Sequence, residues 1–259
     1  AEIAGSTWSQ CAASAVTIHA GSVRVDGFGA SDQFTWITSD AYYGSSGNAG
    51  TVSLIVDELL DVLNGAQISS STWAEGNART IDIQAEAIRI DGTHGAQSGI
   101  FSFASSGSTG HAGRIAIRSD TLDILGDAGI SSTVASGGSG NAGSVVIQVE
   151  RLRLDGAGVP AQSADLITGG IASSAGPGSG QAGTVDIEAR DTLELLDGTV
   201  ISSASASGDA GTVRIRTGNL TIDGKGRRTA VSSRAIEGAT GSVGTVEIVA
   251  DTVTLRTGG

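Results

Sequence analysis

Methionine is absent from this chain of 259 residues, lysine occurs once (Lys225), cysteine once (Cys11) and proline twice (Pro160 and Pro177). A lone cysteine excludes an internal disulfide, and Cys11 has no metal-ligand partner at useful spacing. Strong helix formers are scarce while Val, Ile, Thr, Ser and Gly dominate, so the composition points to strands and turns. Nine aromatics against forty glycines imply a thin core of small aliphatic side chains, which suits a slender repeat better than a compact globule. No run of eighteen apolar residues exists to span a bilayer as a helix; Val52 to Val56 is followed at once by Asp57 and Glu58. A formal net charge of −12 with no Lys/Arg cluster repels a phosphate backbone, so neither nucleic acid nor an anionic membrane is an expected partner. The chain opens AEIAG, with no initiator Met, basic n-region or apolar h-region, so any signal peptide is expected to have been removed or to lie outside it.

What the chain does contain is a recurring small-residue turn: GNAG (47–50), GNAR (76–79), GHAG (110–113), GNAG (140–143), GQAG (180–183), GDAG (208–211) and GSVG (241–244). Their fourth residues are separated by 29, 34, 30, 40, 28 and 33, the range of solenoids and arrays, with the variation absorbed by loops. Each turn is followed by two period-two segments, such as TVDIEA (184–189) and LELLDG (193–198), and then by a short element such as QISS (67–70), GISS (129–132), VISS (200–203) or AVSS (230–233). A divergent copy, AVTIHAGSVRVDG, occupies 15–27. A propeller would need longer strands and an aromatic in every blade, whereas none follows Phe103. The expected fold is all-β: a right-handed parallel β-helix of about eight three-stranded coils over 15–259, with 1–14 as a lead-in or cap and loop insertions at 28–46, 93–109 and 157–179.

In-register stacking makes a column of every repeat position, about 4.8 Å from coil to coil. The first strand gives inward columns Val16, Val52, Ile81, Ile115, Val145, Val185, Val213, Val246 and Ile18, Leu54, Ile83, Ile117, Ile147, Ile187, Ile215, Ile248 without one polar interruption. Each such side chain contributes about 1.5–3 kcal/mol when fully buried. Between the buried aliphatics of the second strand the outward residue reads Arg24, Asp61, Arg89, Asp123, Arg153, Glu194, alternating in sign. Exposed pairs of this kind contribute about 0–1 kcal/mol each, so the ladder is read as a device fixing register, not as the source of stability.

The pattern GNAGTV-x-I-x-A-x-x-L-x-L-x-DG-x-x-ISS, spread over nearly all of 15–259, resembles the repeat region of filamentous-haemagglutinin-like exoproteins exported by two-partner secretion. The resemblance implies a β-helical passenger, handled during export by an outer-membrane transporter of the Omp85 class. It also implies a place outside, or on the outer surface of, a Gram-negative bacterium or cyanobacterium, in adhesion, aggregation or biofilm formation. An amino-terminal secretion domain with its NPNG-like motif is not found in this chain.

The turn aspartates Asp26, Asp91, Asp155, Asp197 and Asp223, each followed by Gly, would form a Ca²⁺ site only if their carboxylates aligned at one corner. Asp-Gly as ordinary turn chemistry, with Gly at positive φ, is the simpler expectation, and no cofactor is expected. The serine pairs 69–70, 131–132, 173–174, 202–203 and 232–233 read as hydroxyls bonding along the stack, because His19, His94 and His111 occupy different repeat positions and none is a placed base. A polysaccharide lyase or hydrolase is the alternative to a non-enzyme; it needs paired carboxylates, and only the long insertions are expected to hide them. All nine aromatics (Trp8, Phe28, Phe34, Trp36, Tyr42, Tyr43, Trp73, Phe101, Phe103) precede residue 104. They suit either a cap over exposed strand edges or a ligand patch, for which Trp36, Tyr42, Tyr43 and Trp73 are the candidates toward a glycan or protein. The C-terminal coil, ending TVTLRTGG, leaves end-to-end self-association open.

Overall fold

A computed structural model describes residues 1–27, 35–94, 97–157, 169–236 and 239–256. Among them there is no helix, and none, therefore, long and apolar enough to cross a membrane. The chain is a parallel β-solenoid of about seven turns. One eight-stranded sheet holds β1 (Glu2–Ala4), β4 (Trp36–Thr38), β7 (Gln67–Ser69), β10 (Ser98–Ala104), β12 (Ala128–Val134), β14 (Gly170–Ala175), β16 (Val200–Ser205) and β18 (Ala230–Ala235). The other sheet begins with separate pairs: β2 (Val16–Ala20) and β3 (Val23–Asp26), β5 (Val52–Val56) and β6 (Leu59–Leu63), β8 (Ile81–Gln84) and β9 (Ala87–Gly92). From there the two segments run on as single long strands: β11 (Ile115–Gly126), β13 (Val145–Asp155), β15 (Val185–Leu196), β17 (Val213–Asp223) and β19 (Val246–Arg256). All pairings are parallel, each strand beside its counterpart one turn away.

The inward aliphatic columns close into one core in which Val52, Ile81, Ile115, Val145, Val185 and Val213 are fully buried. The eight-stranded sheet adds the column Ile37, Ile68, Ile100, Ile130, Ile171 and Ile201. Three expectations change in detail. Residues 1–14 contain a rung of this sheet, because Ile3 pairs with Ile37 and Thr7 bridges Ala41. The stretches expected as insertions each carry a rung too, namely β4, β10 and β14, so the loops are shorter than 28–46, 93–109 and 157–179. Rung β10 escapes the ISS pattern because Phe101 and Phe103 stand where other coils have small residues; the Phe101 ring lies over Gly99, whose added Cβ would come within 2.2 Å of it.

Third, the glycine of Asp-Gly has positive φ only at Gly198; Gly27, Gly92 and Gly156 are required by close approach instead, a Cβ at Gly27 falling 2.3 Å from the Asn64 carbonyl. The same constraint governs the repeat's turns. A Cβ on Gly140 or Gly143 would lie 2.0 or 2.1 Å from the carbonyl oxygen of the turn glycine one coil back. Backbone rests directly on backbone at this corner.

Two hydrogen-bonded spines hold that contact. In the first, the side chain at the turn's second position accepts the N–H of its successor: Asn48 from Asn77, Asn77 from His111, His111 Nδ1 from Asn141, and Asn141 from Gln181, all at 2.8–2.9 Å. In the second, one serine per coil donates to one turn and accepts from the next: Ser132 Oγ gives to the Gly113 carbonyl at 2.8 Å and takes the Gly143 N–H at 2.9 Å. Ser70, Ser173 and Ser203 do the same. The serine two residues after the buried isoleucine of these rungs (Ile68, Ile130, Ile171 and Ile201) is therefore an interior staple between windings; in the pair 173–174 it is the first serine, elsewhere the second.

Because it satisfies two backbone groups at once, Ser132→Ala is expected to destabilise the protein by about 1–3 kcal/mol, read as a lowered urea midpoint with unchanged slope. His111→Asn should retain stability, while His111→Ala, which removes the acceptor for Asn141, should lose about 0.5–1.5 kcal/mol in the same assay.

Candidate functional site

The charge ladder residues stand in adjacent register from Arg24 to Glu194, Arg24 opposite Asp61, Asp61 opposite Arg89, Arg89 opposite Asp123, Asp123 opposite Arg153 and Arg153 opposite Glu194. Only Arg89 to Asp61, at 3.5 Å, forms an ion pair along this column. The arginines turn instead to the aspartate two residues ahead on their own strand: Arg24 to Asp26 and Arg153 to Asp155 at 2.6 Å, Arg89 to Asp91 at 3.7 Å. In an extended strand residues i and i+2 share a face, and these bonds also hold the corner aspartates. Those aspartates alternate with leucines in the order Asp26, Leu63, Asp91, Leu125, Asp155, Leu196, Asp223, with Asp197 one place out of column. Carboxylates two coils, about 10 Å, apart cannot share one cation. Among the described residues no group of three or more His, Cys, Asp or Glu is placed to hold a metal ion.

The aromatic residues do converge. Trp8, Tyr42 and Trp73 follow one another along the column that continues Thr7, Ala41 and Thr72, with ring centroids 4.3 and 5.2 Å apart and interplanar angles of 23°. Tyr43 leans on Trp73 at 6.5 Å and 53°. Trp8 and Tyr43 are exposed at 71% and 64%, while Tyr42 and Trp73 are half-buried within the stack. Trp36 is the first residue of β4, in register between Glu2 and Gln67, and does not join the stack. Trp8 is thus the member that reading the sequence left out of the patch; its position one residue after Thr7 becomes meaningful only once residues 1–8 are seen to be a rung. Phe28 and Phe34 lie outside the described residues.

Beside this stack Asp40 is buried at 1% exposure with no cationic partner among its hydrogen bonds. Its carboxylate accepts from Thr38 Oγ1, from Ser69 Oγ at 3.3 Å and from the Ser71 N–H at 2.7 Å, while its own N–H donates to Ser6 Oγ at 3.0 Å, so it ties three rungs together. Burial pushes its pKa up to about 6 against the pull of these hydrogen bonds, and Glu2 adds to the rise. Burial, and then the Asp40 charge, also raise the Tyr42 hydroxyl.

A second feature sits at the elbow between the two segments of the long strands. A shallow open groove of about 220 Å³ is lined by Gln84, Arg118, Asp120, Gln148, Glu150 and Arg190. Asp120 and Glu150 occupy adjacent coils between the pairs Ser119–Val149 and Thr121–Arg151, and the Asp120 N–H donates to the Glu86 carbonyl of the coil before. Sequence columns drawn on the strands alone miss this acidic line, because the elbow residues fall between the periodic segments and the register shifts there in the next coil. Glu150 is paired with Arg190, which also reaches Glu188 at 3.7 Å, and Arg118 reaches Asp82 at 3.2 Å. The histidines stay apart: His111 serves the turn spine, His94 Nδ1 bonds Thr93 at 2.8 Å and His19 lies opposite Ile55.

No protein-family model matches the chain, and neither the curated proteins nor the solved structures contain a significant match.

Since the folded-state pKa of Asp40 lies above its ordinary value, the stabilisation is complete below about pH 4 and is lost as pH rises through about 6. A shift of about two units corresponds to about 3 kcal/mol. Asp40→Asn is therefore expected to stabilise the amino-terminal coils by up to about that amount at pH 8, and to flatten the dependence between pH 4 and 8. Urea unfolding followed by tryptophan emission checks this, because all three tryptophans lie within the first 73 residues.

Proposed function

We propose that this chain is a non-catalytic rod, a right-handed β-helix of about eight three-stranded coils, that works outside the cell or on its outer surface by binding glycans or proteins. The right hand follows from the strong preference of parallel crossover connections. The repeat pattern supports placing it with filamentous-haemagglutinin-like exoproteins of Gram-negative bacteria or cyanobacteria, passed through an Omp85-class transporter and acting in adhesion, aggregation or biofilm formation. The observation that carries the binding role is the aromatic stack Trp8–Tyr42–Trp73 with Tyr43 beside it. It presents two exposed rings on a scaffold whose backbone is fixed by coil-to-coil register. Exposed aromatic faces on a rigid support bind with little loss of conformational entropy. Because Tyr42 and Trp73 stack on one another, the open face of Trp8 and the ring of Tyr43 are the contact surfaces.

One observation favours a second reading, a polysaccharide-active enzyme: the elbow groove brings Asp120 and Glu150 to neighbouring coils. The Arg190 partner of Glu150 suits a charge-paired surface better than a general acid, so the binding role takes precedence. The two are separated by assaying one preparation on a glycan array and on a panel of polysaccharides. Binding without product release is expected, with Trp8→Ala and Tyr43→Ala each weakening it at least tenfold while the far-UV circular dichroism is unchanged. Polysaccharide cleavage abolished by Asp120→Asn or Glu150→Gln would replace this reading with the enzymatic one.

A further inference from the structure

Three kinds of group meet at the corner that follows the eight-stranded sheet. The first is aromatic: Tyr42 and Trp73 stack along the axis, and the exposed Tyr43 tilts against Trp73. Their column passes to Ser105 and Ala135 in the next two coils, so no ring follows Trp73 and the aromatic run stops inside the molecule. The second is acidic. Glu75 stands two residues past Trp73, exposed and without an ion-pair partner among the described residues. Burial first, then the Asp40 and Glu2 charges raise the Tyr42 hydroxyl, which places both carboxylates within electrostatic reach of the stack. Before residue 79 the chain holds one arginine and no lysine against eight Asp or Glu, and that arginine, Arg24, is bound to Asp26 in the other sheet. Arg79 closes the turn but forms no ion pair with Glu75. The third is a row of donors. Asn77 and Asn141 Oδ1 and His111 Nδ1 are each taken by a backbone N–H of the following coil. The two Nδ2 groups and the His111 Nε2–H therefore remain as donors on exposed side chains, about 4.8 Å from coil to coil, with no partner among the described residues. Trp73, Glu75 and Asn77 fall within five consecutive residues, so their backbones are separated by no more than roughly 14 Å.

Resting on the binding role given above to the aromatic stack, we propose that this corner recognises a glycan whose sugars carry free amines. The apolar faces of its sugar rings lie against Tyr43 and Trp73, and its ammonium groups supply the cation that Glu75 lacks. Its hydroxyl and ring oxygens accept from the row formed by Asn77, His111 and Asn141. An extended β-linked sugar chain advances per sugar by nearly the rise of one coil, so successive sugars meet successive donors. An acidic or sulfated glycan would face uncompensated carboxylates on a chain of net charge −12, and a neutral one would leave Glu75 without a partner. Arginine side chains of a basic protein segment would suit the rings and the carboxylate, but they bring donors alone to a row that is itself all donors.

Isothermal titration calorimetry with matched probes tests it, at mildly acidic pH where a β-linked glucosamine oligomer is charged. That oligomer is expected to bind about tenfold or more tightly than its N-acetylated counterpart, which has the same rings without the charge, and an oligogalacturonate should not bind. Added salt should weaken the glucosamine oligomer and leave the N-acetylated one as it was. Glu75→Gln, at an exposed site, should weaken the glucosamine oligomer about threefold or more with the far-UV circular dichroism unchanged. Equal affinity for the two oligomers overturns the proposal and leaves the stack as a neutral sugar site, whereas binding of neither overturns the underlying binding role with it. Tighter binding of an oligoarginine peptide than of the glucosamine oligomer also overturns it, and would assign the corner to a basic protein segment.

Discussion

Everything in this molecule depends on how closely one winding rests on the next at the glycine turn. The absent Cβ atoms at Gly110, Gly140 and Gly143 let carbonyl oxygens of one coil sit where a side chain would otherwise stand. That contact sets the rise, and once the rise is set every other position falls into a column. The aliphatic interior supplies most of the free energy, but it would tolerate sliding; the turn, with its amide and serine spines, does not. Stability and register are thus held by different groups at different places on the coil.

The columns were legible because burial imposes a period of two on each strand and the turns supply a phase at each repeat. This is why the valine and isoleucine series and the alternation from Arg24 to Glu194 can be written down from residue types alone. The partners of those arginines were not legible, since the choice between the coil above and the aspartate two residues ahead depends on rotamers and on how the corner bends. Rung β10 was hidden by Phe101 and Phe103, which obscure a pattern defined by small hydroxyl residues. Rung β1, three residues long, carries too little periodicity to register at all. The elbow acids were missed because they lie where the period breaks.

The candidate site follows the same division. That aromatics gather near the amino terminus is a fact of composition; that Trp8, Tyr42 and Trp73 form one stack while Trp36 does not is a fact of register. Asp40 shows no local signal. Its burial comes from outward positions on three rungs that only the fold brings together, and a carboxylate ringed by hydroxyls and one amide becomes sensitive to protons in a way the tripeptide Ser39-Asp40-Ala41 does not suggest. The neighbourhood of a residue here is vertical, one residue from each of several windings, and sequence distance says little about it.

The strands lie across the long axis of the stack and their hydrogen bonds run along it, which has a mechanical consequence. Tension applied through the two chain ends loads the terminal coil's bonds a few at a time, in the manner of a zipper, not all together in shear. Such a rod should yield by peeling one winding after another at modest force. Each release frees 28 to 40 residues, or roughly 90 to 140 Å of extended chain, so the pulling trace would carry the unequal spacing of the turns as a readable signature.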